Sequence, residues 1–307
     1  MRIVHPSEDN LEDVLEFAFR YLAPPERSAR ILSVLEQYNN GRIPLDGIFV
    51  AEDNTEYRIG NNAEIDGVLF SQPRQDCGVM LWVPSTSEKC PADILLEPFV
   101  RYCLKNEFQA ALALADYRQP FNETEFIQNG KFEYLSDLVY FAVQVSPALP
   151  VYSFDTCYFQ MLRGKIDEQE RLEKIVQETY CGTLDFPRLM GAFPVDKALD
   201  GYRHDGLYQQ QLWFFIQDIR TKNDIGVLLL TDRTEHLEIT YTGLTKEVRG
   251  QGLAKEIIRF ALTAAKERNY KLLSAAADER NKPAVRAYIG EGLQAWDRKK
   301  IFVRFFR

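Results

Sequence analysis

The chain has 307 residues, 46% hydrophobic and 27% charged, ordinary globular values with enough apolar side chain for two domain cores. A net charge of −8 and a pI near 5.2 argue against a nucleic-acid partner, whose phosphates need clustered Lys and Arg, and favour cationic ones. Five cysteines without a Cys-x-x-Cys pair and only three histidines make neither a disulfide framework nor a metal site; a polar start and no long apolar run predict no signal segment, no membrane crossing and a cytoplasmic location.

Residues 11–22 carry Leu11, Val14, Leu15, Ala18 and Leu22 at amphipathic helical spacing, and 28–38 repeat the pattern. Short apolar runs at 47–51, 65–70 and 79–83, separated by polar stretches, predict a meander of strands. A helix over 92–105, a strand over 110–115, a short helix over 123–128 and a strand over 135–145 follow, and Pro147 and Pro150 bracket a linker. The second half replays the order: helix at 167–181, strands at 212–218, 225–231 and 237–244, helix at 253–268, strand at 272–277, short helix at 283–290 and a closing strand. That last strand absorbs the basic tail, because Arg298, Lys299, Lys300, Arg304 and Arg307 alternate with Ile301, Phe302, Val303, Phe305 and Phe306.

A constant offset of 162 residues links the halves without a gap. It sets Ala115 and Asp116 on Ala277 and Asp278, Phe126 on Tyr288, Gly130 on Gly292, and Leu95 and Leu96 on Ile257 and Ile258. The expectation is a duplicated α+β fold, with one domain over 1–147 and a second over 148–307.

Between the strand at 237–244 and the helix at 253–268 lies Arg249-Gly250-Gln251-Gly252-Leu253-Ala254. A helix N-terminus leaves its first amides without partners and carries partial positive charge, so it binds anions once side chains are cleared away. Gly250 and Gly252 do the clearing, and Arg249 adds charge.

In this context the chain resembles the GNAT superfamily of N-acetyltransferases, whose signature is Arg or Gln, two residues, Gly, one residue, then Gly or Ala; Arg249, Gly252 and Ala254 fit it. Asn281, Ala284, Tyr288 and Gly292 reproduce the family's spacing on the short helix after strand five, and Leu293 departs from it where an aromatic is usual. The resemblance implies two tandem GNAT-like domains, each a mixed, mostly antiparallel sheet flanked by helices, on a plan similar to mycothiol synthase. It implies acetyl-CoA as co-substrate, the amides of Gly243 and Leu244 pairing with the pantetheine arm, the loop of Val248, Arg249, Gly250, Gln251, Gly252, Leu253 and Ala254 holding the pyrophosphate, and Asn281 near the cofactor. At the 162-residue offset the cradle residues become Ser87, Glu88 and Cys90, followed by Pro91. The cation is lost, an anion introduced and bulk restored, so the first domain reads as a degenerate copy.

Acyl transfer to an amine needs a neutral nucleophile and a proton for the departing thiolate. The family places Tyr288 near the sulfur, and a phenol is protonated at pH 7, which makes Tyr288 the expected acid. Glu238 is the expected base, because alternation sets it on one face with Thr240 and Thr242; His236 and Asp278 stand in reserve. Tyr152, Phe154, Tyr158, Phe159, Tyr202, Tyr208, Trp213 and Phe214 are candidates to line an acceptor groove, and Gly201–Gly206 to form a lid. The expected activity is transfer of an acetyl group to a primary amine on a small molecule or peptide. A non-catalytic acyl-CoA sensor and an aminoacyl or longer-chain acyltransferase are the alternatives.

Overall fold

In this computed structural model, residues 1–53, 64–189 and 191–306 are described. The first half runs β1 (Arg2–Val4), α1 (Leu11–Ala18), α2 (Pro24–Asn39), β2 (Ile48–Glu52), β3 (Ile65–Pro73), β4 (Gly78–Trp82), β5 (Ser85–Thr86), α3 (Asp93–Lys105), β6 (Ala110–Asp116), α4 (Glu123–Gln128) and β7 (Glu133–Gln144). The second runs β8 (Cys157–Met161), α5 (Ile166–Tyr180), α6 (Val195–His204), β9 (Trp213–Asp218), β10 (Asp224–Asp232), β11 (Leu237–Leu244), α7 (Leu253–Glu267), β12 (Leu272–Asp278), α8 (Lys282–Gly290) and β13 (Gln294–Phe305). Apart from the two-residue β5 the order is the same in both. β6 and β12 have equal length at the offset read from the sequence, and α3 and α7 end at matching positions.

Local chemistry explains most boundaries. α1 buries Leu11, Val14, Leu15 and Ala18, the residues its spacing aligns, and stops before Ala23-Pro24, where the prolines suit the first turn of α2 better than the interior of α1. α6 corrects the lid reading: Gly201, Tyr202, Arg203 and His204 are helical, not loop. Val195, Leu199 and Tyr202 recur at helical spacing after Pro194, and Leu199 and Gly201 are buried. The basic tail is strand β13, where Lys299 pairs with Asp116 at 3.1 Å and Phe302 is fully buried.

The chain divides into two compact units, one of Met1–Leu135 with Lys299–Arg307 and one of Ser136–Arg298. In the first, β1, β2, β3, β4 and β6 are neighbours in order, β4 and β6 are parallel, and β13 closes the sheet antiparallel to β6 through Lys299↔Asp116 to Phe305↔Ala110. In the second the order is β8, β9, β10, β11, β12, with β11 and β12 parallel at their start and β7 closing antiparallel to β12 through Leu272↔Gln144 to Asp278↔Leu138. Each closing strand thus comes from the other repeat, which is why the units depart from a boundary at 147. Periodicity marks β7 and β13 as strands and carries no record of the sheet each joins.

Each unit carries its own core: Phe49, Leu81, Phe99, Phe126 and Phe302 belong to one cluster of the first, and Leu172, Phe215, Leu228, Ile257, Leu273 and Tyr288 to that of the second. Among the described residues no helix is long and apolar enough to cross a membrane, and no group of His, Cys, Asp and Glu is placed to hold a metal.

Candidate acyl-CoA site

The site of the second unit starts from a defect in a strand. β11 pairs with β10 along its length, but the register shifts between Leu229↔Tyr241 and Leu230↔Ile239, leaving Thr240 as an extra residue. Such a bulge bends its strand and raises its twist. Parallel pairing with β12 covers only Leu237↔Leu273, Glu238↔Ser274 and Ile239↔Ala275, so from Thr240 onward β11 diverges from its neighbour. Thr245 N donates to Ile225 O at 2.9 Å, and antiparallel alternation then turns the amide of Gly243 toward β10 as well, while those of Thr242 and Leu244 face the gap. Of the two strand amides expected for pantetheine, that of Leu244 faces the gap and that of Gly243 faces β10. Gly243 has a different reason to be glycine: a Cβ there would lie 2.7 Å from Thr179 Cβ and 2.8 Å from Tyr241 Oη, where α5 crosses the strand.

The loop after β11 makes one short turn at 246–248 and enters α7. Gly250 and Gly252 have φ of 77° and 82°, the left-handed region that disfavours L side chains, and a Cβ on either would meet nothing within 4 Å. Among the described residues, no hydrogen bond runs from the amides of Gly250, Gln251, Gly252, Leu253 or Ala254 to a protein acceptor. Five consecutive N–H groups at the positive end of a 15-residue helix, with cleared space above two of them, fit a diphosphate. Val248 precedes them, half-buried against the core.

Arg249 is placed otherwise than its expected phosphate contact. Its Nε donates to Leu244 O at 3.0 Å, Nη1 to Cys181 O and Gly182 O at 2.9 and 2.8 Å, and Nη2 to Thr179 O at 2.7 Å. The guanidinium therefore collects the orphan carbonyls at the end of α5 and fastens them to the end of β11. Arg249 supports the loop from behind, and the groups the loop leaves open are its backbone amides.

Tyr288 lies on α8, 6% exposed, its ring 5.5 Å from that of Phe141. Burial first, then the carboxylates of Asp185 and Glu238, push its pKa up, and the phenol stays protonated at pH 7. No hydrogen bond engages its hydroxyl among the described residues. Glu238 sits across from Thr231, which shares its face with Leu229 and hence with Tyr241; beyond the bulge Thr242 faces the other way. Glu238 keeps company with Thr240, whose Oγ1 donates to Thr231 Oγ1, and loses Thr242, because the extra residue breaks the alternation. Its carboxylate accepts from Arg233 Nε at 2.5 Å, and Arg233 also pairs with Asp205 at 2.9 Å. His236, in the turn before β11, has its pKa lowered by burial.

At the end of β12, fully buried Asp278 accepts from Ser136 Oγ at 2.5 Å, from Arg280 N at 2.8 Å and from Phe186 N at 3.2 Å. Its own amide donates to Asp185 Oδ1 at 2.8 Å. Asn281 caps α8 by accepting from Ala284 N at 3.3 Å, and its own amide donates to Asp278 O at 2.9 Å. Asp185 was not singled out in the sequence; Thr183-Leu-Asp-Phe-Pro187 reads as an ordinary turn after a helix. A visible signal is the bulky Phe186, which takes a φ of 41° and so strains the loop.

Most of the aromatic candidates belong to packing. Trp213 and Phe214 are core residues, Phe154 and Phe159 pack against Phe260, and Tyr158 and Tyr208 are exposed. Tyr202 stacks on Tyr241 at 5.3 Å, which brings it to the strand of the site.

The family model described as Acetyltransferase (GNAT) family matches residues 186–290. The second unit is a GNAT domain. The whole chain has the tandem GNAT fold: a GCN5-related N-acetyltransferase from Sphaerobacter thermophilus superposes with a TM-score of 0.67 at 12% identity, covering 100% of this chain and 96% of the other. A tandem GNAT protein from the clavulanic acid biosynthesis pathway gives 0.52 at 12% identity over 99% and 98% of the two chains, and a GCN5-related N-acetyltransferase from Kribbella flavida gives 0.51 at 13% over 78% and 88%. No curated protein matches the sequence.

The counterpart loop of the first unit lacks each feature that makes the GNAT loop an anion site. Lys89 N donates to Ser87 Oγ at 3.3 Å, Cys90 N to Ser87 O at 3.2 Å, and Pro91 has no N–H. No residue from Ser87 to Ala92 has a positive φ. β4 pairs with β6 to its last residue, Trp82↔Leu114, and Val83 N continues onto Leu114 O at 3.1 Å, so no gap opens. A cavity of about 350 Å³ does lie here, faced by Glu88 and Glu125 with Lys89 as its single cation, the wrong balance for a diphosphate.

Proposed function

We infer that the protein is an acyl-CoA-dependent N-acyltransferase, and specifically that it moves an acetyl group from acetyl-CoA to a primary amine of a small molecule or peptide, using only its second domain. The observation that carries this reading is the run of unbonded amides from Gly250 to Ala254 beneath two left-handed glycines, beside a strand that diverges from its parallel neighbour. Gly250, Gln251, Gly252, Leu253 and Ala254 hold the diphosphate through backbone N–H groups, and Leu244 offers its amide to the pantetheine arm. The bound thioester supplies an activated acyl carbon.

Tyr288 supplies the proton to the leaving sulfur. Its raised pKa keeps it protonated at pH 7 and makes it a weaker acid than a thiol, so the transfer is coupled to return of the surplus proton on the attacking nitrogen to the phenolate oxygen. Asn281 fixes the start of α8 and with it the position of Tyr288. Glu238, the carboxylate that alternation suggested as base, is held by Arg233, and to accept a proton it must break that ion pair.

Titrating the full chain with coenzyme A in a calorimeter and following thiol release from acetyl-CoA with a panel of primary amines tests the reading. One binding event per chain together with amine-dependent thiol release is expected. Binding without release for every amine marks a sensor, and release only from longer thioesters replaces acetyl with another acyl group.

A further inference from the structure

Asp185 stands in the loop after α5, beside three elements, β12, α8 and β11. From β12 the amide of Asp278 donates to its Oδ1 at 2.8 Å. α8 begins directly after Asn281, whose amide donates to the same Asp278 at 2.9 Å, and further along that helix the charge of Asp185 helps raise the Tyr288 pKa. From β11, Tyr241 feels it as well; that hydroxyl is 2.7 Å from Thr179 Oγ1, which donates to Val176 O, so Tyr241 is the donor. Asp185 is thus the carboxylate nearest in effect to the expected acid, at the end where β11 and β12 have parted.

Among the described residues Asp185 makes no ion pair. The neighbouring charge is another carboxylate, Asp278, and the guanidinium beside it, Arg280, bonds Asp278 at 3.3 Å with its own side chain 60% exposed, while Arg249 is engaged by four carbonyls. A carboxylate taken partly out of water and given a hydrogen bond but no counter-ion is costly to keep ionised, and an arriving ammonium relieves that cost. Glu238 differs on this point, since Arg233 already neutralises it.

Resting on the acyl-transfer reading above, we propose that Asp185 receives the ammonium of a cationic primary amine and takes the proton that frees its nitrogen for attack. The ammonium gives one proton to Asp185, which passes it to solvent. The neutral nitrogen forms the C–N bond to the acyl carbon and the C–S bond breaks. Tyr288 gives its proton to the departing sulfur, and the surplus proton on nitrogen returns through water to the Tyr288 oxygen. Amide, free thiol and one proton result. Burial raises the Asp185 pKa above the ordinary aspartate value, which moves its proton affinity toward that of an ammonium. The titratable groups around it are Asp278, Tyr288 and Tyr241, with Arg280 beyond Asp278 and Arg249 acting on Tyr241.

The test uses Asp185→Asn, which keeps a carbonyl oxygen toward the Asp278 amide, with Asp185→Glu and Glu238→Gln beside it. Coenzyme A affinity of Asp185→Asn should match the wild type, while kcat/KM with acetyl-CoA and arylalkyl, diamine and lysyl-peptide substrates falls at least about 100-fold at pH 7. The deficit should narrow by up to about tenfold per pH unit toward pH 9, as free amine accumulates without a base. Asp185→Glu should retain part of the rate, and Glu238→Gln should show no such narrowing. Turnover of Asp185→Asn within threefold of wild type at every pH, or narrowing carried by Glu238→Gln instead, overturns the proposal and leaves acyl transfer standing. A wild type that releases no thiol with any amine overturns acyl transfer, and the proposal with it. Stability supplies a readout independent of turnover. A pKa raised by folding means stability is full below the unfolded aspartate pKa, about 3.9, and declines as pH rises through the folded value. Asp185→Asn should therefore melt no lower than wild type at pH 7, with any advantage gone below about pH 4. A clear fall in Tm with loss of coenzyme A binding would make Asp185 a prop for the fold and overturn its role as base.

Discussion

Two loops of one chain, Arg249–Ala254 and Ser87–Ala92, occupy the same place in the same succession of elements and differ in what their amides do. In the first, five amides are left for a ligand and two glycines turn left-handed to present them. In the second, a serine answers two of the amides, a proline deletes a third, and the preceding strand stays zipped to its neighbour. The lesson is that the two loops differ mainly in withheld hydrogen bonds, and the proposed phosphate cradle rests on that difference. Charge is secondary, because the arginine of the intact loop is spent on carbonyls.

The largest expected effect separates the tyrosine of one half from the phenylalanine of the other. Tyr288→Phe should lower turnover about 100- to 1,000-fold with coenzyme A affinity and stability little changed, since the lost hydroxyl holds no protein partner. The reciprocal Phe126→Tyr should give no activity and cost about 1–3 kcal/mol by chemical denaturation, because a hydroxyl would enter the stack of Phe126 on Phe132, 4.4 Å apart and fully buried. An unchanged rate for Tyr288→Phe would reduce that residue to packing.

Arg249→Met comes next. A phosphate-contacting arginine would be lost at the expense of binding alone; a clamp must also cost stability. Four carbonyls lose a charged donor, two of them near solvent where water substitutes, so a loss of about 2–3 kcal/mol is expected together with weaker coenzyme A binding. Stability equal to wild type would return Arg249 to direct anion contact. Gly252→Ala should cost less, about 1–2 kcal/mol, because its Cβ meets no atom and only the left-handed backbone resists it.

The duplication, the succession of strands and helices, and the glycine turn before α7 were legible in the sequence, because each rests on local pattern: helical spacing in 253–267, alternation in β13, two glycines before a helix. What escaped depends on partners distant in the chain. Nothing local tells β7 to close the second sheet and β13 the first. The bulge at Thr240 is invisible to alternation and reverses the relation of Glu238 to Thr242. Arg249 looks like a phosphate ligand until Thr179, Cys181 and Gly182 are seen to reach it, and Asp185 gains its interest only from Asp278 and Tyr288, some 93 and 103 residues further along.

The smallest expected effect is also the sharpest check on the comparison. Glu88→Arg replaces the anion of the first unit's loop, at the position of Gly250, by a cation, beside a cavity already large enough for a small ligand. If charge made the cradle, a second coenzyme A should now bind. If withheld amides make it, the stoichiometry stays at one per chain, because the Lys89 and Cys90 amides remain answered by Ser87 and Pro91 still has none to offer. Glu88 is exposed, so stability should move by no more than about 0.5 kcal/mol and the titration reads the loop alone. A calorimetric stoichiometry of two would show that the backbone difference matters less than the sign of one side chain.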